Sequence, residues 1–119
     1  MESLNVFGKK LELCSTNPMT GFYRNGCCDT GQKDYGTHTV CSVVNDEFLK
    51  FSKERAKDLT TDNPTDNFKG LKNGDKLCLC VSRWIEAYKA GYAPKIILES
   101  TNIKTLEYIT FEELLEYKF

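Results

Sequence analysis

The sequence has little of what usually announces a function. It carries one histidine, one tryptophan and three prolines in 119 residues. No apolar run approaches the roughly 20 residues that a membrane-spanning helix needs. The formal net charge is −1, with acidic and basic side chains interspersed. Neither nucleic acid nor a membrane surface is therefore an expected partner. The chain has no P-loop, no Gly-x-Gly-x-x-Gly, no Gly-x-Ser-x-Gly elbow, no His-Glu-x-x-His helix and no Cys-x-x-Cys, so it offers no standard nucleotide, hydrolase, zincin or redox signature. Internal repeats and low-complexity linkers are also missing. The start, Met1-Glu2-Ser3-Leu4-Asn5, lacks a basic stretch followed by an apolar core, so no secretory signal is read there. The expectation is one domain over 1–119, cytoplasmic, with no cofactor and no metal.

Cysteine is what the sequence does have. Six stand at positions 14, 27, 28, 41, 78 and 80, below the roughly 8–10% that marks a disulfide scaffold. Without a secretion signal, free thiols are the expected state. Cys27 and Cys28 are adjacent, with Cα atoms about 3.8 Å apart across a trans peptide, closer than a relaxed disulfide prefers.

Local patterns predict the elements. Asn25-Gly26 between Phe22-Tyr23-Arg24 and Cys27-Cys28 favours a two-residue hairpin, because both turn residues tolerate positive φ. Asn5 to Leu13 is read as a short strand around Gly8. Thr37 to Val44 is β-branched and reads as a strand. Asn45 and Asp46 cap a helix from about Glu47 to Lys57. Turn formers between Asp58 and Asp75 predict a surface loop. Lys76 to Cys80 reads as a buried strand. Val81, Trp84, Ile85 and Tyr88 follow a helical period, which Gly91 ends. Lys95 to Glu99 is read as a strand, Thr105 to Ile109 as a strand in preference to a short helix, and Thr110-Phe111-Glu112-Glu113 as a capping box. The sum is an α+β fold: two layers, with a mixed or mainly antiparallel sheet and about three helices packed on it.

The candidate site follows from the hairpin. In such a hairpin Arg24 faces Cys27 and Tyr23 faces Cys28. A guanidinium beside Cys27 favours its thiolate. His38 is the one imidazole base in the chain, so a Cys–His pair would use His38 with Cys27 or Cys28. Two classes stay open. The first is a module binding a small molecule or protein partner through Arg24, Cys27, Cys28 and His38. The second is a thiol-dependent enzyme with Cys27 or Cys28 as nucleophile and His38 as base. Structural zinc is a weaker third. His38 and Cys41 point to opposite faces of a regular strand, while Cys78 and Cys80 share one. Cys80, just before a helix, is read as buried.

The run from Pro18 to Cys28, then His38-Thr39-Val40-Cys41, then Asp46 to Ser52, resembles a family of small bacterial proteins known as domain of unknown function 2237. Gly70 to Cys80, Arg83-Trp84 and Ala93-Pro94 to Glu99 fit the same pattern. The resemblance implies a stand-alone intracellular two-layer α+β domain, and it brings no reaction, cofactor or catalytic residue. Leu77, where an aromatic is common, and the loop 64–69 depart from the pattern.

Overall fold

A computed structural model describes residues 3–55 and 70–119 of the chain. Within them strand β1 (His38–Val43) leads through Asn45 into helix α1 (Asp46–Glu54). Strand β2 (Lys76–Cys80) runs directly into helix α2 (Val81–Ala90). A short strand β3 (Lys95–Ile96), two 3-10 turns (Leu98–Ser100 and Ile103–Glu107) and helix α3 (Phe111–Leu115) complete the order. Among the described residues the sheet has three strands in the order β2-β1-β3, all antiparallel. The fold is α+β, as the mixed local signals require. Lys57 and the 58–69 part of the expected surface loop lie outside the described residues.

Each helix is set by recognisable chemistry. The Asn45 side chain accepts the Phe48 N–H, and Asp46 and Glu47 sit in the first turn of α1, where the helix dipole favours negative charge. Gly91 closes α2 at φ 85°, a left-handed position that glycine takes without a Cβ penalty. Thr110 and Glu113 form the reciprocal capping box at the start of α3.

The sheet divides the interior into two unlike halves. Strand alternation sends Val40 of β1 and Leu79 of β2 to one face, where they join Phe48, Val81, Ile96 and Leu114 in the main core. Trp84 is fully buried there. Its indole N–H donates to the Pro94 carbonyl at 3.2 Å, and Tyr88 stacks on it at 5.3 Å between ring centroids. The indole thus buries its large apolar surface without stranding its one donor. The other face carries Cys41 and Cys78, directly opposed in the β1–β2 ladder. They pack with Cys14 and Cys28 in a separate buried cluster.

Four local expectations give way. The strand expected over Lys95 to Glu99 stops at Ile96, with Leu98–Ser100 forming a 3-10 turn. The hairpin at Asn25-Gly26 does not form. Gly26 instead accepts from the Cys14 and Ser15 N–H groups and donates to the Thr20 carbonyl, so the turn is bonded to residues 14–20. Asn5 to Leu13 is a loop with isolated bridges rather than a strand. It is organised by Asn5, whose side-chain oxygen accepts from Phe7 and Lys9. The stretch after Ile103 is a 3-10 turn started by the Asn102 side chain, not a strand. Its Thr105 hydroxyl donates to Thr39 instead.

Candidate functional site

Four cysteines are not free. Cys14 is disulfide-bonded to Cys41 and Cys28 to Cys78, with Cα separations of 5.8 and 5.2 Å. This corrects the expectation of free thiols throughout. The physical reason is register. Cys41 and Cys78 face the same way from neighbouring strands, and the turns between residues 14 and 28 are bonded down over that face. Cys28 is fully buried. A half-cystine with no solvent access offers no thiolate, so Cys28 is withdrawn as a candidate nucleophile.

Cys27 and Cys80 keep free thiols, each half-buried. The Cys27 N–H donates to the Asn25 side-chain oxygen at 3.0 Å. Burial pushes the Cys27 thiol up from its ordinary value, and the Asp29 charge adds to the effect against Lys10. That is the opposite of activation by Arg24, which sits at φ 55° in the same turn.

His38 has a partner that sequence reasoning missed. Its Nδ1 lies 2.6 Å from Asp34 Oδ1. Asp34 is a fully buried carboxylate, while the imidazole is 41% exposed. The other carboxylate oxygen accepts from the His38 backbone N–H and the Thr30 hydroxyl, both at 2.9 Å. Burial pushes the Asp34 carboxyl up, but these hydrogen bonds and the imidazole outweigh it and hold the group below the ordinary carboxylate value. An ionised carboxylate only accepts, so Nδ1 carries the proton and a neutral ring keeps its lone pair on Nε2. The ring also lies close over Gly36. A Cβ there would fall 2.9 Å from Nε2 and 3.2 Å from Nδ1.

Register then brings in Cys80. His38 is paired with Cys80 across the β1–β2 ladder, and the register shift that follows leaves Thr39 as the extra residue. Opposed residues project to the same side of a sheet with Cβ atoms about 4.5–5.5 Å apart. The residue before His38, Thr37, sits at φ 49°. That conformation is costly for a β-branched side chain and often marks functional positions. The Thr37 carbonyl accepts the Val81 N–H, tying this turn to the start of α2. Cys80 is the N-cap of α2 but makes no side-chain cap. Its sulfur lies 3.1 Å from the Ser82 hydroxyl instead. The Ser82 and Arg83 backbone N–H groups therefore receive no cap from Cys80. The nearest signals in the sequence were Asp34, four residues before the lone histidine, and a thiol at a helix start.

The Asp34 contact has a pH signature. Because its folded-state value is depressed, the stability it contributes is present above the unfolded value of about 3.9 and is lost as pH falls through the folded one. Urea midpoints on either side of about pH 4 should therefore fall more steeply for the wild type than for Asp34→Asn. Equal slopes would remove the carboxylate from this account.

No helix among the described residues is long and apolar enough to cross a membrane. The model of a family described as an uncharacterised protein conserved in bacteria, DUF2237, matches residues 4–118. No curated protein matches the chain.

Proposed function

The chain belongs to this uncharacterised bacterial family, and from that premise we propose that it is a thiol-dependent enzyme in which Cys80, His38 and Asp34 act together. The observation that carries the reading is the pairing of His38 with Cys80 while its Nδ1 is held by a buried carboxylate. A base oriented by a third group beside a nucleophile is the arrangement that nucleophilic catalysis needs.

The reaction class is acyl transfer or hydrolysis. His38 Nε2 takes the proton of the Cys80 thiol, and the sulfur attacks a carbonyl carbon. The carbonyl π-electron pair moves onto oxygen. The uncapped N–H groups in the first turn of α2 are donors for that oxyanion. When the tetrahedral species collapses, the pair returns and His38 gives its proton to the departing alcohol, thiol or amine. Water attacks the thioester in the second half, losing a proton to His38, and the proton returns to Cys80 as the acid leaves. Arg24 and Cys27 have no role in this scheme, and His38 keeps the role of base expected for it.

The test uses a small activated ester and an alkylating agent. The wild type and Cys27→Ser should hydrolyse the ester, whereas Cys80→Ser should not. Iodoacetamide should modify Cys80 first, with Cys27 following at a midpoint above the roughly 8.5 of an ordinary thiol. Ester hydrolysis that survives Cys80→Ser would sink the proposal.

A second reading is a ligand- or partner-binding surface on residues 18–29, in an intracellular protein. It is favoured by the exposed side chains of Met19, Phe22 and Tyr23 on that segment, with Leu13 also exposed. Aromatic fragments that shift backbone resonances of 19–27 and leave Cys80 unchanged would support it over the enzyme.

A further inference from the structure

The two disulfides make a compact sulfur cluster, and we propose that the same four cysteines, when reduced, form a tetrathiolate zinc site. This inference does not rest on the Cys80 centre. The Sγ atoms of Cys14, Cys28 and Cys78 lie within 4.8 Å of one another, all buried. The fourth sulfur, of Cys41, is bonded to that of Cys14. Zinc bound tetrahedrally by thiolates at about 2.3 Å sets its sulfurs about 3.8 Å apart. Reduction lets each bonded pair open toward that spacing. The Cys14 sulfur, already within 4.8 Å of those of Cys28 and Cys78, needs to close by about 1 Å at most, whereas Cys41 lies outside that group and must swing in once released from Cys14.

The ligands come from separate places in the fold. Cys41 and Cys78 project side by side from β1 and β2, while Cys14 and Cys28 descend from the turns above them. A metal ion at their centre would hold the N-terminal segment to the sheet, which is what the disulfides do. The usual paired Cys-x₂₋₄-Cys knuckles are absent because the ligands converge through the tertiary fold. Two buried threonines border the site: the Cys78 N–H donates to the Thr20 hydroxyl and the Cys41 N–H to that of Thr101.

The redox step balances. Two equivalents of a dithiol reductant supply four electrons, converting both S–S bonds to four thiols while the dithiols become disulfides. One Zn²⁺ then displaces four protons, leaving a complex of charge −2. Oxidation by a disulfide or peroxide withdraws four electrons, restores both bonds and releases the ion. The chain would thus be stapled by disulfides in an oxidising setting and by zinc in a reducing one.

The test begins with the full chain reduced by a phosphine in the absence of metal, then titrated with Co²⁺ and afterwards Zn²⁺. One equivalent of Co²⁺ should give visible bands of tetrahedral coordination and thiolate-to-cobalt charge transfer for four sulfurs, and Zn²⁺ should displace it. Far-ultraviolet circular dichroism should show native secondary structure in the metal-bound, reduced chain. Cys41→Ser should weaken Zn²⁺ binding by more than the roughly 10–100-fold that loss of an outer-shell partner costs. The Cys27→Ser and Cys80→Ser variants should bind as the wild type does. Four outcomes would overturn the proposal: no stoichiometric binding, a metal-bound chain that stays unfolded, Cys41→Ser binding unchanged, or binding lost in Cys80→Ser.

Discussion

Replacing Cys28 and Cys78 together by alanine is expected to lower the unfolding free energy of the oxidised protein by about 2–5 kcal/mol, the usual cost of losing a native bridge in a small domain. The bridge closes a sequence separation of 50 residues. A chain-entropy estimate for a loop of that size is about 4 kcal/mol. The effect is large because the total stability of a domain is only about 5–15 kcal/mol. The bridge ties an irregular segment to the sheet. Cys28 belongs to an irregular segment, held to the body by the Asn102 amide on its carbonyl at 3.1 Å. Cys78 lies in the middle of β2. Removing the Cys14–Cys41 bridge instead opens a loop with a separation of 27 residues and should cost about 0.5 kcal/mol less on the same entropy argument. Urea denaturation under metal-free oxidising conditions measures both. A loss under about 1 kcal/mol for the Cys28 and Cys78 pair would mean that the bridge does not form in solution.

The contrast between these cysteines and the helices shows which parts of the fold were legible in the sequence. Helix α2 was legible because its signal is local: Val81, Trp84, Ile85 and Tyr88 recur at the helical period, and Gly91 supplies the left-handed stop. The same holds for Asn45 before α1 and for the box at Thr110. The Asn25-Gly26 signal was equally local, yet it failed. Its strands are two or three residues long and had to compete with a disulfide at Cys28 and with the bonds from Cys14 and Ser15 to Gly26. Tertiary ties that are worth several kcal/mol override a turn preference. Thr105 to Ile109 failed for a related reason. Its β-branched residues suit a strand, but the Asn102 side chain caps the turn and the Thr105 hydroxyl is used by Thr39.

The site was half legible. His38 could be singled out because it is the one imidazole. Its partners could not, since they depend on two facts that only the fold supplies. One is the turn from Gly31 to Thr37, in which the Asp34 N–H donates to Gly31 and the Thr37 N–H to the Asp34 carbonyl, bringing the carboxylate to the Nδ1 edge of the ring. The other is the register shift at Thr39, which leaves His38 rather than its neighbour facing Cys80. The adjacency of Cys27 and Cys28 was conspicuous in the sequence. In the fold their roles separate: one is a raised thiol and the other a buried half-cystine.

His38→Gln is expected to slow ester hydrolysis by roughly 10²–10⁴-fold, the range that a positioned general base contributes. The glutamine amide can fill the space but cannot take the thiol proton. Asp34→Asn should cost nearly as much, although residue 34 never touches the substrate. The carboxamide at that position can donate an N–H to Nδ1, which places the ring proton on Nε2 and removes the lone pair that the proposed scheme uses to take the Cys80 proton. Gly36→Ala acts by a third route. Its methyl group would displace the ring that now lies over the glycine, so the rate should fall while the Asp34 carboxylate stays intact. The pH profile separates these routes from simple unfolding. In the wild type, hydrolysis should rise with deprotonation of the imidazole, and that limb should vanish in His38→Gln. Gly36→Ala should retain the limb at reduced height. A mere structural role for Asp34 predicts instead that Asp34→Asn keeps the wild-type profile and loses only urea stability. A full rate in His38→Gln would leave the pairing of His38 and Cys80 as a feature of the sheet alone.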